Sequence, residues 1–209
     1  FFFFFQAGLM GRYPFHWHLV GDAPGQYIKN SSIHSSFQRC VTVHQTHQTV
    51  VDNNVCYNFK GHGFFLEDGN EVNNTISRNV GIGAQFPSLS KVLLNSDHMN
   101  ANVDRRRFPP VSVFWISNPN NRVTKNIASG SVGTGFWMSF VDEVRRFNSQ
   151  SGEFDGDLLS RPRTTNTLDF SYNVAHTTLV GHTWDGAPNE RPFPAGQNPY
   201  KTNNPNNAQ

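Results

Sequence analysis

The sequence predicts an all-β protein whose chain winds into a parallel β-helix, a solenoid with coils of about 24 residues and two long loop excursions. Three observations support this fold class. A short motif recurs, its Asn residues are regularly spaced, and the segments between them are β-branched and aromatic. The motif reads apolar residue, two variable residues, Asn, then Val or Ile, and its four clear copies end at Val55, Val80, Ile127 and Val174.

The spacing of the Asn residues sets the length of the coil. These residues are Asn30 (in a looser copy), Asn54, Asn79, Asn126 and Asn173, and they are separated by 24, 25, 47 and 47 positions. Because each long step is close to twice a short one, we expect one degenerate copy of the repeat in each long gap. A leucine-rich repeat has a similar period, but it needs a dense ladder of Leu residues, and this chain has few.

Asn suits a tight corner because it tolerates a left-handed backbone and its side chain bonds to nearby main chain. Stacked Asn side chains can also hydrogen-bond from one coil to the next. We therefore expect the five Asn residues, Asn30 included, to form a ladder along one edge. Asn30 and Asn73 both begin glycosylation sequons. Since Asn30 is expected inside the ladder, Asn73 is the expected glycosylation site.

The extent of the repeat also defines the predicted domain boundaries. The predicted β-helix domain covers residues 10–186, preceded by an uncertain segment at 1–9 and followed by a Pro- and Asn-rich tail or linker at 187–209. Two polar excursions, at residues 84–110 and 141–167, interrupt the repeat. Long loops of this kind often carry function.

The composition favours an extracellular or cell-surface β protein. Charged residues make up 15% and aromatic residues 13%, and the net charge is +2 with 9 His uncounted. No segment resembles a transmembrane helix, so we expect no direct membrane insertion. No nucleic-acid-binding motif accompanies the basic clusters, which are either solvated loops or contacts for an anionic polysaccharide. The two cysteines, Cys40 and Cys56, decide neither a disulfide nor a metal site.

Alternation along the strands predicts which side chains share a face. When the coils are aligned on their Asn residues, one set falls in the interior: Trp17, Val41, Val43, Phe65 and Trp137. The opposite face then carries His16, His18, Thr42, His44 and Asp68, with Phe64 and Leu66 among them. Strands stack about 4.8 Å apart, so histidines and a carboxylate from three coils are expected close together. A shift of one residue would replace Asp68 by Glu67.

Three segments, GRYPFHWHLVGD, GHGFFLEDGNE and FWISNPNN with NIASGSVGTGFW, carry a family resemblance. Residues 10–186 resemble the β-helix region of a family that includes the cell-migration-inducing hyaluronan-binding protein, its transmembrane hyaluronidase relative and fibrocystin-like proteins. The resemblance implies a right-handed parallel β-helix and an extracellular location. For some members it also implies hyaluronan binding or depolymerisation linked to calcium. The fibrocystin-like branch has no established catalysis, so the resemblance leaves the enzyme question open.

Two histidines two positions apart on one strand face the same way. His16 and His18 are therefore candidates for acid/base catalysis or for binding a metal. The other candidate catalytic residues are His62, Glu67 and Asp68. Because Glu67 and Asp68 are adjacent, a glycosidase pair would need a partner from another coil.

The candidate substrate-binding residues are Arg12, Asp22 and His44. The candidate metal ligands are His16, His18 and Asp68, for calcium or another divalent metal. Each residue also has a structural alternative, because stacked histidines bond to main chain and acids before glycine cap turns.

Two functions remain open on the sequence alone. The first is an extracellular module that binds a polysaccharide or glycosaminoglycan, or packs with neighbouring domains or further copies in a larger surface assembly. The alternative is a hyaluronidase-like enzyme that cleaves an anionic glycosaminoglycan-like chain, with arginines holding its carboxylates. Hydrolysis and β-elimination are not distinguished.

Overall fold

Three parallel sheets run the length of the molecule, and the chain visits them in turn. The computed structural model describes residues 11–87, 111–148 and 151–186. Within these ranges five coils each contribute one strand to every sheet, and a last strand in one sheet begins a sixth coil, so consecutive coils stack in parallel register. The architecture is the predicted parallel β-helix.

Sheet A contains β1 (Phe15–Asp22), β4 (Val41–His47), β7 (Phe64–Leu66), β10 (Ser112–Ile116), β13 (Thr134–Phe140) and β18 (Val180–Gly186). Sheet B contains β2 (Tyr27–Lys29), β5 (Val50–Asp52), β8 (Thr75–Ser77), β11 (Arg122–Thr124) and β16 (Asp169–Ser171). Sheet C contains β3 (Ser32–Ser36), β6 (Val55–Lys60), β9 (Val80–Gln85), β12 (Ile127–Ser129) and β17 (Val174–His176). An antiparallel hairpin of β14 (Val144–Asn148) and β15 (Glu153–Ser160) leaves the stack and is followed by a 3₁₀ turn at Pro162–Thr164.

The predicted Asn ladder forms the corner between sheets B and C. The side-chain amide of Asn54 donates to Oδ1 of Asn79 at 3.0 Å, and the same bond links Asn79 to Asn126 and Asn126 to Asn173, each at 3.1 Å. Each Oδ1 also accepts the backbone N–H of the residue above it. The ladder therefore satisfies buried main-chain groups that the turn leaves without a strand partner.

Asn30 is not a member of this ladder, so its predicted place was wrong. Ser31 occupies the ladder position in the first coil, and its backbone N–H donates to Oδ1 of Asn54 at 3.1 Å. Asn30 precedes it in a left-handed conformation (φ 55°), is exposed, and accepts a bond from Asn53 at 2.7 Å. The prediction was shifted by one residue. Asn30 occupies the left-handed position that Asn53 occupies in the next coil, whereas the ladder residue Asn54 follows Asn53.

Each of the two long steps in the Asn spacing joins adjacent coils, so the expected degenerate repeat does not form a further coil between them. Asn79 and Asn126 lie 47 positions apart yet bond directly, so they belong to adjacent coils, as do Asn126 and Asn173. The first step contains the predicted excursion at residues 84–110, of which 88–110 lie outside the described residues. The second step contains the β14–β15 hairpin, which occupies most of the predicted excursion at 141–167.

Aromatic side chains fill the interior behind sheet A. The rings of Phe64, Phe114 and Phe136 stack through three coils with centroids 4.8 and 4.7 Å apart. This reverses part of the predicted face assignment. Phe64 and Leu66 point inward, whereas Phe65, Trp115 and Trp137 form a separate buried cluster on the outer face of the sheet. The register pairs Thr42 with Phe65 and Val43 with Leu66, which is the one-residue shift allowed for in the third coil.

A disulfide joins Cys40 to Cys56, at the beginning and near the end of the second coil. The Cα atoms are 6.2 Å apart across 16 positions, and both residues are fully buried. The described residues contain no helix long and apolar enough to cross a membrane. The predicted boundary segments, 1–9 and 187–209, lie outside the part of the chain that the structure describes.

Candidate functional site

A histidine cluster lies on the outer face of sheet A, where β1 and β4 run side by side. His16 and His18 alternate onto this face of β1, and the strand register places His18 directly beside His44 of β4. His44 is part-buried and His18 is exposed. One ring nitrogen from each of the three histidines lies within 4.8 Å of the other two.

The next coil adds two carboxylates to this cluster. Nε2 of His44 lies 2.9 Å from Oδ2 of Asp68, and Nδ1 of His44 lies 3.9 Å from Oε2 of Glu67. Strand β7 ends at Leu66, so the alternation that would separate two adjacent acids stops there. Both acids therefore approach the same imidazole ring.

Hydrogen bonds fix the histidine tautomers on two sides of the cluster. Nδ1 of His16 donates to the carbonyl of Gly11 at 3.0 Å, which leaves the lone pair on Nε2. That Nε2 atom is buried and has no hydrogen-bond partner among the described residues. His44 donates through Nε2 to Asp68, and its Nδ1 lies 3.0 Å from Nδ1 of His18. Three imidazoles thus converge with defined orientations.

Glu71 holds the turn that carries the acids. Its side chain is fully buried and accepts backbone N–H bonds from Gln45 at 2.9 Å, Asp68 at 3.1 Å and Gly69 at 2.8 Å. The side-chain amide of Gln45 donates in turn to Oδ2 of Asp68. Glu71 therefore positions Asp68 and does not reach the histidines itself.

The buried side chain of Arg39 lies against the carboxylate of Glu67. Its guanidinium is buried, donates to the hydroxyl of Tyr13 at 2.6 Å, and lies 3.6 Å from Oε2 of Glu67. The same group stacks on Phe65, 3.6 Å from the ring centroid. Sequence reasoning missed Arg39. The available signal was a charged residue beside Cys40, immediately before a strand that holds the site.

Burial and charge give neighbouring groups different protonation behaviour. Burial lowers the pKa of His16 to about 4, and burial together with His44 lowers the pKa of His18. Burial also acts on His44, but the hydrogen bond to Asp68 and the charges of Glu67 and Asp68 together outweigh it and raise the pKa of His44. Burial raises the pKa of Glu71. Titratable groups with pKa values moved apart are common at functional sites.

The remaining predicted residues lie elsewhere. His62 is fully buried, accepts the backbone N–H of Ser112 at 3.1 Å, and packs 4.5 Å from the ring of Trp115. It is not brought to the histidine cluster. Arg12 and Asp22 are exposed at opposite ends of β1, and Asn73 is exposed before β8 with φ 58°.

The β14–β15 hairpin borders the cluster on one side. Strand β14 packs against β1. The side-chain amide of Asn70 donates to the carbonyl of Arg145 at 2.8 Å and also to Gln45. The Arg145 side chain is exposed. Strand β14 therefore lies beside the strand that carries His16 and His18. We call the surface that carries the histidine cluster and the exposed Arg12 and Arg145 the β1–β14 surface.

The family described as CEMIP beta-helix matches residues 3–182. The chain belongs to this family. Human cell surface hyaluronidase CEMIP2 is 35% identical over 194 residues, 81% of this chain and 13% of that protein. Human cell migration-inducing and hyaluronan-binding protein is 40% identical over 149 residues, 63% of this chain and 11% of that protein. Mouse Fibrocystin-L is 39% identical over 138 residues, 66% of this chain and 3% of that protein.

The chain therefore spans a small part of the length of these relatives. Within this CEMIP β-helix domain, the cluster offers hydrogen-bond donors at the surface and a His–carboxylate pair below them. Such a set can bind an anion, transfer a proton or ligate a metal ion.

Proposed function

We propose that this domain is an extracellular module that binds an anionic glycan of the hyaluronan type on the β1–β14 surface. The uronic acid carboxylates of such a glycan need donors that are spaced along an exposed surface. Relatives whose names state hyaluronan binding or hyaluronidase activity support the choice of glycan. The Cys40–Cys56 disulfide supports an oxidising, extracellular environment.

The observation that carries this proposal is that exposed basic residues neighbour the histidine cluster. Arg12 follows Gly11, whose carbonyl binds His16, and the Arg145 carbonyl accepts a bond from Asn70. Both arginines are exposed, and His18 is the exposed member of the cluster. Guanidinium groups match carboxylates bidentately, and an imidazole N–H supplies a further donor. A glycan chain bound on this surface would have these three donors available for its carboxylates.

The test is calorimetric titration of the full chain with short hyaluronan oligosaccharides in buffer that contains EDTA. We expect Arg145→Ala to weaken binding roughly five-fold, because exposed ion pairs contribute up to about 1 kcal/mol. The double variant Arg12→Ala/Arg145→Ala should bind more weakly still. Arg122→Ala is the matched control, since Arg122 is exposed on sheet B. Equal weakening by Arg122→Ala, or no binding by the unmodified chain, would overturn the proposal.

A second candidate function is depolymerisation of the same glycan. The observation that favours it is the contact between His44 and Asp68 beside His16, whose pKa is low. Such a pair supplies an acid and a base within one site. The chain should then shorten hyaluronan on a gel, and His44→Ala should stop the shortening without loss of glycan binding. Elimination would leave an unsaturated product that absorbs ultraviolet light, whereas hydrolysis would not.

A further inference from the structure

The histidine cluster has the donor set of a transition-metal site. We propose that His16, His18 and His44 bind one divalent transition-metal ion of the Zn²⁺ class through three imidazole nitrogens. Asp68 orients His44 from behind in this site. The sequence predicted Asp68 as a metal ligand. In this proposal His44 is the third ligand instead, and Asp68 supports His44 through a hydrogen bond.

His16 presents an atom that is otherwise unexplained. Its Nδ1 is held by the Gly11 carbonyl at 3.0 Å, so its buried Nε2 carries a lone pair with no partner among the described residues. A metal-bound histidine commonly donates its second nitrogen to a carbonyl or carboxylate in this way. The tautomer of His16 is therefore already the one that a metal ligand requires.

His44 shows the same arrangement with a carboxylate. Its Nε2 donates to Asp68 at 2.9 Å, and its Nδ1 points at Nδ1 of His18, 3.0 Å away. Two imidazole nitrogens at this distance must share a proton when no metal ion lies between them. A metal ion replaces that proton and satisfies both lone pairs.

The distances suit a tetrahedral ion. Metal–nitrogen bonds of about 2.0–2.1 Å place the ligand nitrogens about 3.3–3.4 Å apart. The cluster already has one pair of nitrogens at 3.0 Å, and one ligand nitrogen from each histidine lies within 4.8 Å of the others. Metal binding would draw the three rings together by side-chain rotation, and the exposed His18 is the least restricted of them.

The chemistry of the donors selects the class of metal. Ca²⁺ is bound by oxygen ligands, whereas three imidazoles suit Zn²⁺, Co²⁺, Ni²⁺ or Cu²⁺. The carboxylates of Glu67 and Asp68 contact the cluster and would offset the charge of the ion. A fourth position on the solvent side of His18 would remain open for water or for a glycan oxygen.

The test is titration of the chelator-treated full chain with Zn²⁺ and, separately, with Co²⁺ in the absence of glycan. We expect one equivalent to bind, a rise in the melting temperature, and visible absorption typical of tetrahedral Co²⁺. His16→Ala and His44→Ala should each weaken binding more than roughly 100-fold, whereas Asp68→Asn should weaken it roughly 10- to 100-fold and keep the Co²⁺ spectrum. Ca²⁺ should not compete.

His34→Ala is the matched control, because His34 is exposed on sheet C, away from the cluster. Circular dichroism of each variant identifies any loss of fold, and Asp68→Asn provides a second route if a histidine variant does not fold. Binding that is unchanged in His44→Ala, or no binding by the unmodified chain, would overturn the proposal. Glycan binding is measured in EDTA, so the two proposals can fail separately.

Discussion

Nε2 of His44 and Oδ2 of Asp68 lie 2.9 Å apart although 24 positions separate the two residues in the chain. That separation is one coil of the β-helix. The repeat that aligns Asn54 with Asn79 therefore also brings a histidine of the second coil to a carboxylate of the third. Fold and site depend on the same period.

Asn79→Ala should destabilise the fold strongly. The buried amide of Asn79 makes four hydrogen bonds, to Val51, Asn54 and Asn126, and alanine leaves their buried groups unsatisfied. We expect a loss of about 2–4 kcal/mol in the free energy of unfolding, measured in urea. Asn120→Ala is the control, because Asn120 is only half-buried. Similar losses in both variants would argue against a special role for the ladder.

Reduction of the Cys40–Cys56 disulfide should lower stability by about 3 kcal/mol. The bond closes a loop of 16 positions, and a loop of this size limits the entropy of the unfolded chain by about that amount. Urea unfolding with and without a phosphine reductant measures the difference. The Cys40→Ala/Cys56→Ala variant should not respond to the reductant, and a response from it would show that the effect arises elsewhere.

Tyr172→Asn should stabilise the protein. Tyr172 has φ 56° and is 81% exposed, so its side chain has little packing to offset the cost of a left-handed backbone. Asn tolerates this conformation better, and we expect a gain of about 0.5–1 kcal/mol. Thermal unfolding compares it with Tyr57→Asn, an exposed strand residue outside the left-handed region. A gain of the same size at Tyr57 would contradict the explanation.

The Asp52–Arg78 pair should make stability depend on pH in the acid range. The hydrogen bond from Arg78 lowers the pKa of Asp52 below its usual value of 3.8. The folded carboxyl therefore binds protons less readily than the unfolded one. Its stabilising effect is complete above the ordinary pKa and is lost as pH falls through the lowered folded pKa.

Comparison with Asp52→Asn isolates this effect. The unmodified chain should melt at a higher temperature than Asp52→Asn at neutral pH. The difference should shrink as the pH is taken below the ordinary Asp range. A difference that stays constant between neutral and strongly acid pH would show that the ion pair is not its source.

The sequence predicted the architecture because the ladder is a local pattern. The ladder residues occupy chemically equivalent corners, so their residue type and spacing can be read from the sequence. They are Asn54, Asn79, Asn126 and Asn173. The same reasoning failed at Asn30, because a left-handed corner accepts Asn as readily as the ladder does. The residue type alone does not distinguish the left-handed corner position from the ladder position that follows it, because both favour Asn.

The site was less accessible to prediction because it depends on register. Alternation along β1 and β4 was enough to place His16, His18 and His44 on one face. The end of β7 at Leu66 could not be inferred, and it decides that both Glu67 and Asp68 approach His44. The role of Arg39 was also hidden, because its partners Tyr13 and Glu67 come from two different coils.

The 47-residue steps in the ladder have a consequence for how such a protein changes length. An insertion begins after one strand of a coil and ends before the next, so the strands on both sides of it keep their register. Inserted segments therefore change the surroundings of the β-helix but not the stacking of its coils. Related proteins could then carry different inserted segments on the same β-helix. An engineer could exchange the segment between Phe140 and Asp169 as a cassette.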